Sequence, residues 1–207
     1  MIDIVNQLNA IHRQVSRHEG ADGDEVTVVL RRQYDAAIGD VWSALTEPDR
    51  IKRWFLPVSG DLQAGGKFQL EGNAGGEILG CEPPTLLRLA FGGPTSIVEV
   101  ALADDGGEKT TLQMTHTVPL AMAGSGAGAL YVGPGWDGAL LGLALYLAGE
   151  APEDPVKAAN EPEVIEFSGH SIEAWKAAVE GSGTATADEI AAAVQMAKAQ
   201  FTPDERQ

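Results

Sequence analysis

The spacing of apolar residues changes several times along the 207-residue chain, and each change marks a different element. Ile4, Leu8, Ile11 and Val15 recur at helical spacing behind Asp3, which is suited to an N-cap. This predicts an amphipathic helix over 3–18, ended by Gly20. Residues 25–34 are rich in β-branched side chains and predict a strand. Asp40 suits the start of a short helix carrying Val41, Trp42, Ala44 and Leu45. Pro48 then opens a further turn through Ile51, Trp54 and Phe55, because proline fits the first helical position.

From Pro57 to Val118 the period becomes two. Phe68 and Leu70 alternate with Lys67 and Gln69, and Leu87, Leu89 and Phe91 alternate with Arg88 and Ala90. Val98, Val100 and Leu102 alternate with Glu99 and Ala101, and Leu112 and Met114 with Gln113 and Thr115. Glycines and Pro83-Pro84 punctuate these runs. Such alternation predicts a sheet with one apolar side, and the short connections predict antiparallel pairing. The stretch from Glu71 to Gly76 lacks the lysine and the strand-to-helix setting of a phosphate loop, so it reads as a hairpin turn.

The most apolar segment follows a glycine-rich loop at 123–128. Over 133–149, Trp136, Leu140, Leu143, Ala144 and Leu147 fall on one helical face, and Leu141 and Leu145 make the other face apolar too. Residues 151–163 carry three prolines and four acids and read as a linker. Two helices are predicted beyond it, over 169–180 and 187–201, the second opened by the capping box Thr186-x-x-Glu189. The expected organisation is an N-terminal helix over 1–20, an α+β domain over 25–149, and an acidic linker with a helical extension over 150–207. That extension would pack on the domain or on a second copy of the chain in a homodimer.

Composition narrows the function classes. Fourteen Lys and Arg against thirty Asp and Glu give a net charge of −16, which opposes broad binding to nucleic acid or to an anionic membrane. The 44% hydrophobic and 21% charged fractions fit a soluble globular protein. A single cysteine, Cys81, forms no internal disulfide and fits a reducing compartment. No secretory signal and no transmembrane run is read, so a cytoplasmic location is expected.

The order strand, two short helices, antiparallel strands, long helix resembles the START or polyketide cyclase-like (SRPBCC) superfamily. The local matches point to its branch named after activators of the ninety-kilodalton heat-shock protein ATPase. They are Arg32-Gln-Tyr34-Asp-Ala, Val41-Trp42-x-Ala44-Leu45-Thr46-x-Pro48 and Ile51-x-x-Trp54-Phe55. Gly65-Gly66-x-Phe68, the run from Gly76 through Pro83-Pro84 to Leu87, and Gly135-Trp136 complete the set. The resemblance implies a helix-grip fold: a curved antiparallel sheet wrapped around the helix at 133–149, with a cavity between them. Fold alone does not assign function, and this one hosts carriers, cyclases, hydrolases and co-chaperones.

Alternation selects the side chains that would face such a cavity: Phe68, Leu70, Leu87, Leu89, Phe91, Val98, Val100, Leu112 and Met114. Trp136, Leu140 and Leu143 would close it from the helix. The alternative is that these residues pack on one another as core. His116 continues the inward face of Leu112 and Met114, either as an acid or base, as an anchor for a ligand carbonyl or phenol, or as a strand-end histidine paired with backbone. Arg32 shares a strand face with Tyr34 and, if inward, needs a carboxylate such as Glu71, Glu77 or Glu99. Trp54 and Phe55 either gate the mouth or anchor the short helices. Cys81 reads as a packing residue.

The histidines at 12, 18, 116 and 170 lack metal-ligand spacing, so neither metal nor cofactor is expected. Three functions follow: a carrier of a small apolar or aromatic molecule, a cyclase- or hydrolase-like enzyme using His116 with Tyr34 or Arg32, or a module that binds a chaperone.

Overall fold

The computed structural model describes residues 1–203. The elements run α1 (Ile4–Asn9), β1 (His12–Gly20), β2 (Gly23–Tyr34), α2 (Ile38–Thr46), α3 (Pro48–Ile51), β3 (Val58–Gly60), β4 (Lys67–Leu70) and β5 (Gly75–Glu82). They continue with β6 (Leu86–Phe91), β7 (Ile97–Gly106), β8 (Lys109–Pro119), α4 (Leu120–Ala123) and α5 (Ala129–Leu147). Three helices follow: α6 (Pro155–Ala158), α7 (Pro162–Ser182) and α8 (Ala187–Phe201). The strands form one curved, open antiparallel sheet in the order β1-β2-β8-β7-β6-β5-β4-β3. With the long helix α5 this is the helix-grip fold, of the α+β class.

The N-terminus departs from expectation. The helix ends at Asn9, and His12–Gly20 is an edge strand beside β2. Ile11 and Val15 are buried, but their spacing of four is even and suits one face of a strand as well as one face of a helix. The linker is shorter than read from its prolines: α6 interrupts it, and α7 begins with Pro162 at its first turn. Helix α8 keeps its expected bounds, and its capping box is formed in both directions between Thr186 and Glu189.

The chain divides into two compact units, neither of them continuous in sequence. The first combines residues 1–30, 117–138 and 159 onward. Its core includes Phe167, Ile172, Trp175 and Val179 of α7 and Ala193 and Ala197 of α8, all fully buried. Gly133 of α5 lies against the Trp175 ring, where a Cβ would come within 2.4 Å, so only glycine lets the helices meet.

In the same unit Asp137, wholly buried, takes three donors on one oxygen: Arg13 Nε at 2.8 Å, Ser171 Oγ at 2.5 Å and Trp175 Nε1 at 3.1 Å. Burial pushes its carboxyl above the usual range, while Arg13 and the two other donors pull against that. This pin between β1, α5 and α7 was not legible as a motif.

The second unit combines residues 31–116 and 139–158. Its sheet register builds apolar rows: Phe68, Gly76 and Phe91 stand opposite one another, as do Ile78, Leu89 and Val98. Leu87 pairs with Cys81 on one side and Val100 on the other, past a bulge between Ile78 and Gly80. Gly76 is required in its row, because a Cβ there would come 1.7 Å from the Ala90 carbonyl oxygen.

Candidate functional site

Within the second unit, Phe68, Leu70 and Ile78 form a buried apolar cluster. Phe55, Leu56, Val58, Leu87, Leu89 and Phe91 pack against it but are only half-buried. Gly76 makes this possible locally, since without a side chain it leaves room for the Phe68 and Phe91 rings, whose centroids are 6.2 Å apart. The half-buried members surround the buried ones, which gives an apolar face that water still reaches in part.

Other expected site residues are more deeply placed. Val98, Leu112, Met114, Leu140 and Leu143 are buried, and Val100 lies at the margin of burial. Trp136 is half-buried and belongs to the first unit.

Two aromatic residues are tied down. Trp54 donates its indole N–H to the Ala44 carbonyl at 3.0 Å and stacks on Phe55 with centroids 5.4 Å apart. Its own carbonyl abuts Gly142 of α5, where a Cβ would come within 2.6 Å. Arg50 adds a bond from Nε to the Tyr146 hydroxyl at 2.9 Å, so the short helices are fastened to α5 at two points. Tyr34 is buried and donates its hydroxyl to the Leu140 carbonyl at 3.2 Å. Burial drives its phenol far above the ordinary tyrosine range, against a smaller opposing pull from Arg32, so it stays a donor.

Arg32 is buried with its guanidinium 5.3 Å from the centre of the Tyr34 ring. Glu99, an expected partner, pairs with Arg88 instead, at 4.0 Å. Cys81 is exposed, which corrects its reading as a packing residue.

His116 is the one histidine of the second unit. His116 is buried, its Nε2 lies 2.8 Å from Ser96 Oγ, and its ring meets Phe91 edge-on at 6.4 Å. Burial lowers its pKa from 6.5 to about 4, so the imidazole is neutral at pH 7. The partner of its Nε2 is thus a buried hydroxyl. Ser96 escaped the sequence reading because it sits in a turn segment, 20 positions from His116, with no motif linking them. Among the described residues no group of His, Cys, Asp and Glu is arranged to hold a metal ion. No described helix is long and apolar enough to cross a membrane.

Residues 35–148 match the family described as activator of Hsp90 ATPase homolog 1-like protein. No match is found among the curated proteins. The crystal structure of CalU16 from Micromonospora echinospora is 37% identical, covers 82% of this chain and 98% of its own, and superposes with a TM-score of 0.67. Its solution structure gives 36% identity, coverage of 84% and 97%, and a TM-score of 0.69. DynU16, a protein in the dynemicin biosynthetic locus, is 26% identical over 62% of this chain and 49% of its own, with a TM-score of 0.52. An HSP90 activator from Plasmodium falciparum shares the fold at 21% identity and a TM-score of 0.51, covering 61% of this chain and 97% of its own. Family match and CalU16 likeness agree with the sheet and helix described above: the chain belongs to the family of activator of Hsp90 ATPase homolog 1-like proteins.

Proposed function

We propose that the protein binds a small apolar or aromatic molecule on the face formed by Phe55, Leu87, Leu89 and Phe91. The observation that carries this reading is their half-burial around the Phe68, Leu70 and Ile78 cluster. In a finished core such residues would be closed over, because each leucine or phenylalanine left partly in water forgoes part of about 1.5–3 kcal/mol of burial energy. A mostly apolar surface with few polar groups is the usual form of a small-molecule site. The deeper residues, Val98, Val100, Leu112, Met114, Leu140 and Leu143, then act as the wall behind it.

The enzyme reading has less support. A general base works best with a pKa near the working pH, and burial takes His116 down to about 4. Tyr34 has its hydroxyl engaged by Leu140. A chaperone-binding role draws on the family's name and on the Plasmodium relative, and a −16 chain complements a basic partner surface.

Titration with the neutral fluorophore N-phenyl-1-naphthylamine tests the carrier reading. Saturable binding at one site, abolished by Leu89→Lys in a protein that keeps its circular dichroism, is the expected result. Absence of saturation at high micromolar protein overturns it. Stimulation of a chaperone ATPase under the same conditions would instead favour the interaction module.

A further inference from the structure

The Ser96–His116 pair is the feature that a purely apolar face leaves without a purpose. Both residues are 6% exposed, and their side chains are joined at 2.8 Å. A leucine at 116 and an alanine at 96 would continue the apolar pattern of Leu112 and Met114 without taking polar groups out of water. Burial of such groups is costly unless their hydrogen bonds are satisfied, and a serine hydroxyl offers one donor and two acceptor sites. Among the described residues the Ser96 hydroxyl has one partner, His116.

The placement is specific. His116 meets the edge of Phe91, and Phe91 is half-buried on the accessible side of the apolar cluster. A flat molecule lying along Leu89 and Phe91 therefore ends beside the imidazole and its serine.

We propose, resting on the ligand-binding reading above, that Ser96 and His116 form the specificity-determining anchor of this face. The ligand is then an apolar ring molecule carrying an uncharged oxygen, hydroxyl or carbonyl, at the end next to Phe91. The pair serves either oxygen by exchanging its own hydrogen bond. When Nε2 accepts the serine proton, the serine oxygen accepts from a ligand hydroxyl. In the other tautomer Nε2–H donates to Ser96 Oγ, and the serine proton turns to a ligand carbonyl. No bond in the ligand is broken, and no proton is transferred overall.

Three probes of one shape test this on the full chain: 2-naphthol, 2-acetylnaphthalene and 2-methylnaphthalene, with binding followed by amide chemical shifts. The two oxygen-bearing probes are expected to bind about tenfold more tightly than the hydrocarbon, the value of one good hydrogen bond. In Ser96→Ala the preference should shrink to within about twofold, and Ser96→Thr, which keeps the hydroxyl, should retain it. Should Ser96→Ala not fold, the comparison of probes on the unaltered protein and on Ser96→Thr still decides. Equal binding of all three probes overturns the anchor and leaves the apolar site standing. So does a preference that survives in Ser96→Ala. Failure of every probe to bind overturns both.

Discussion

Tyr34 and Leu140 are joined by a buried hydrogen bond, hydroxyl to carbonyl, across 106 positions of sequence. It ties the end of β2 to the last turns of α5, and it uses the hydroxyl that a proton-transfer role would need. Tyr34→Phe keeps the ring and removes only this bond. The expected loss is about 1 kcal/mol in urea denaturation, with probe binding unchanged. A large loss of binding at intact stability would show that the hydroxyl belongs to the site.

His116 gives stability a defined pH dependence. Its folded pKa of about 4 lies below the unfolded value near 6.5, so between these limits the unfolded chain binds more protons. The contribution is complete above pH 6.5 and is lost as the pH falls toward 4, on the order of 3 kcal/mol in all. His116→Gln retains a hydrogen-bonding group without titrating there. Its stability should fall less steeply between pH 6.5 and 4.5, and parallel slopes for both proteins would contradict this.

Gly76 and Gly93 make a matched pair. A Cβ at Gly76 meets backbone at 1.7 Å, whereas one at Gly93 has nothing within 4 Å. Gly76→Ala must displace a strand or a ring and should cost at least about 2 kcal/mol. Gly93→Ala, whose added methyl meets open space, should stay within about 0.5 kcal/mol of the parent. Thermal melts of the two variants decide.

Arg13 and Asp137 should behave as one unit. Removing either alone, as in Arg13→Met or Asp137→Leu, strands a buried charge and should cost about 3–5 kcal/mol. The double variant should cost clearly less than the two losses together. Additive losses in a denaturant-based cycle would mean that the two charges do not interact.

Cys81 should react with a thiol reagent in the native protein, completely and without unfolding, because it is exposed. Protection until denaturant is added would contradict the structure.

What was legible in the sequence follows from how local each signal is. The alternation of Phe68 and Leu70, or of Leu112 and Met114, is a property of a few neighbouring residues and reports the buried face directly. The Thr186 capping box is likewise local. Strand β1 was not legible, because Arg13, Arg17, His18 and Glu19 have little strand preference and pairing with β2 decides their conformation. Ser96 with His116 and Arg13 with Asp137 were equally hidden, since each pair exists only once distant segments meet. Cys81 misled too: its register partner Leu87 packs on the apolar cluster, yet Cys81 itself is exposed.

The interleaving of the two units sets a timetable for synthesis. Arg13 leaves the ribosome 124 residues ahead of Asp137 and still further ahead of Ser171. At roughly 5–20 residues per second, that is a wait of about 6–25 seconds before the counterion exists. Throughout it, Val15, Val26, Val28 and Leu30 belong to a strand pair whose partner helix α7, packed on β1, has not been made. Shortening the chain from its far end therefore removes part of the structure around its first strand, and a nascent chain paused before residue 159 presents that strand to whatever is nearby.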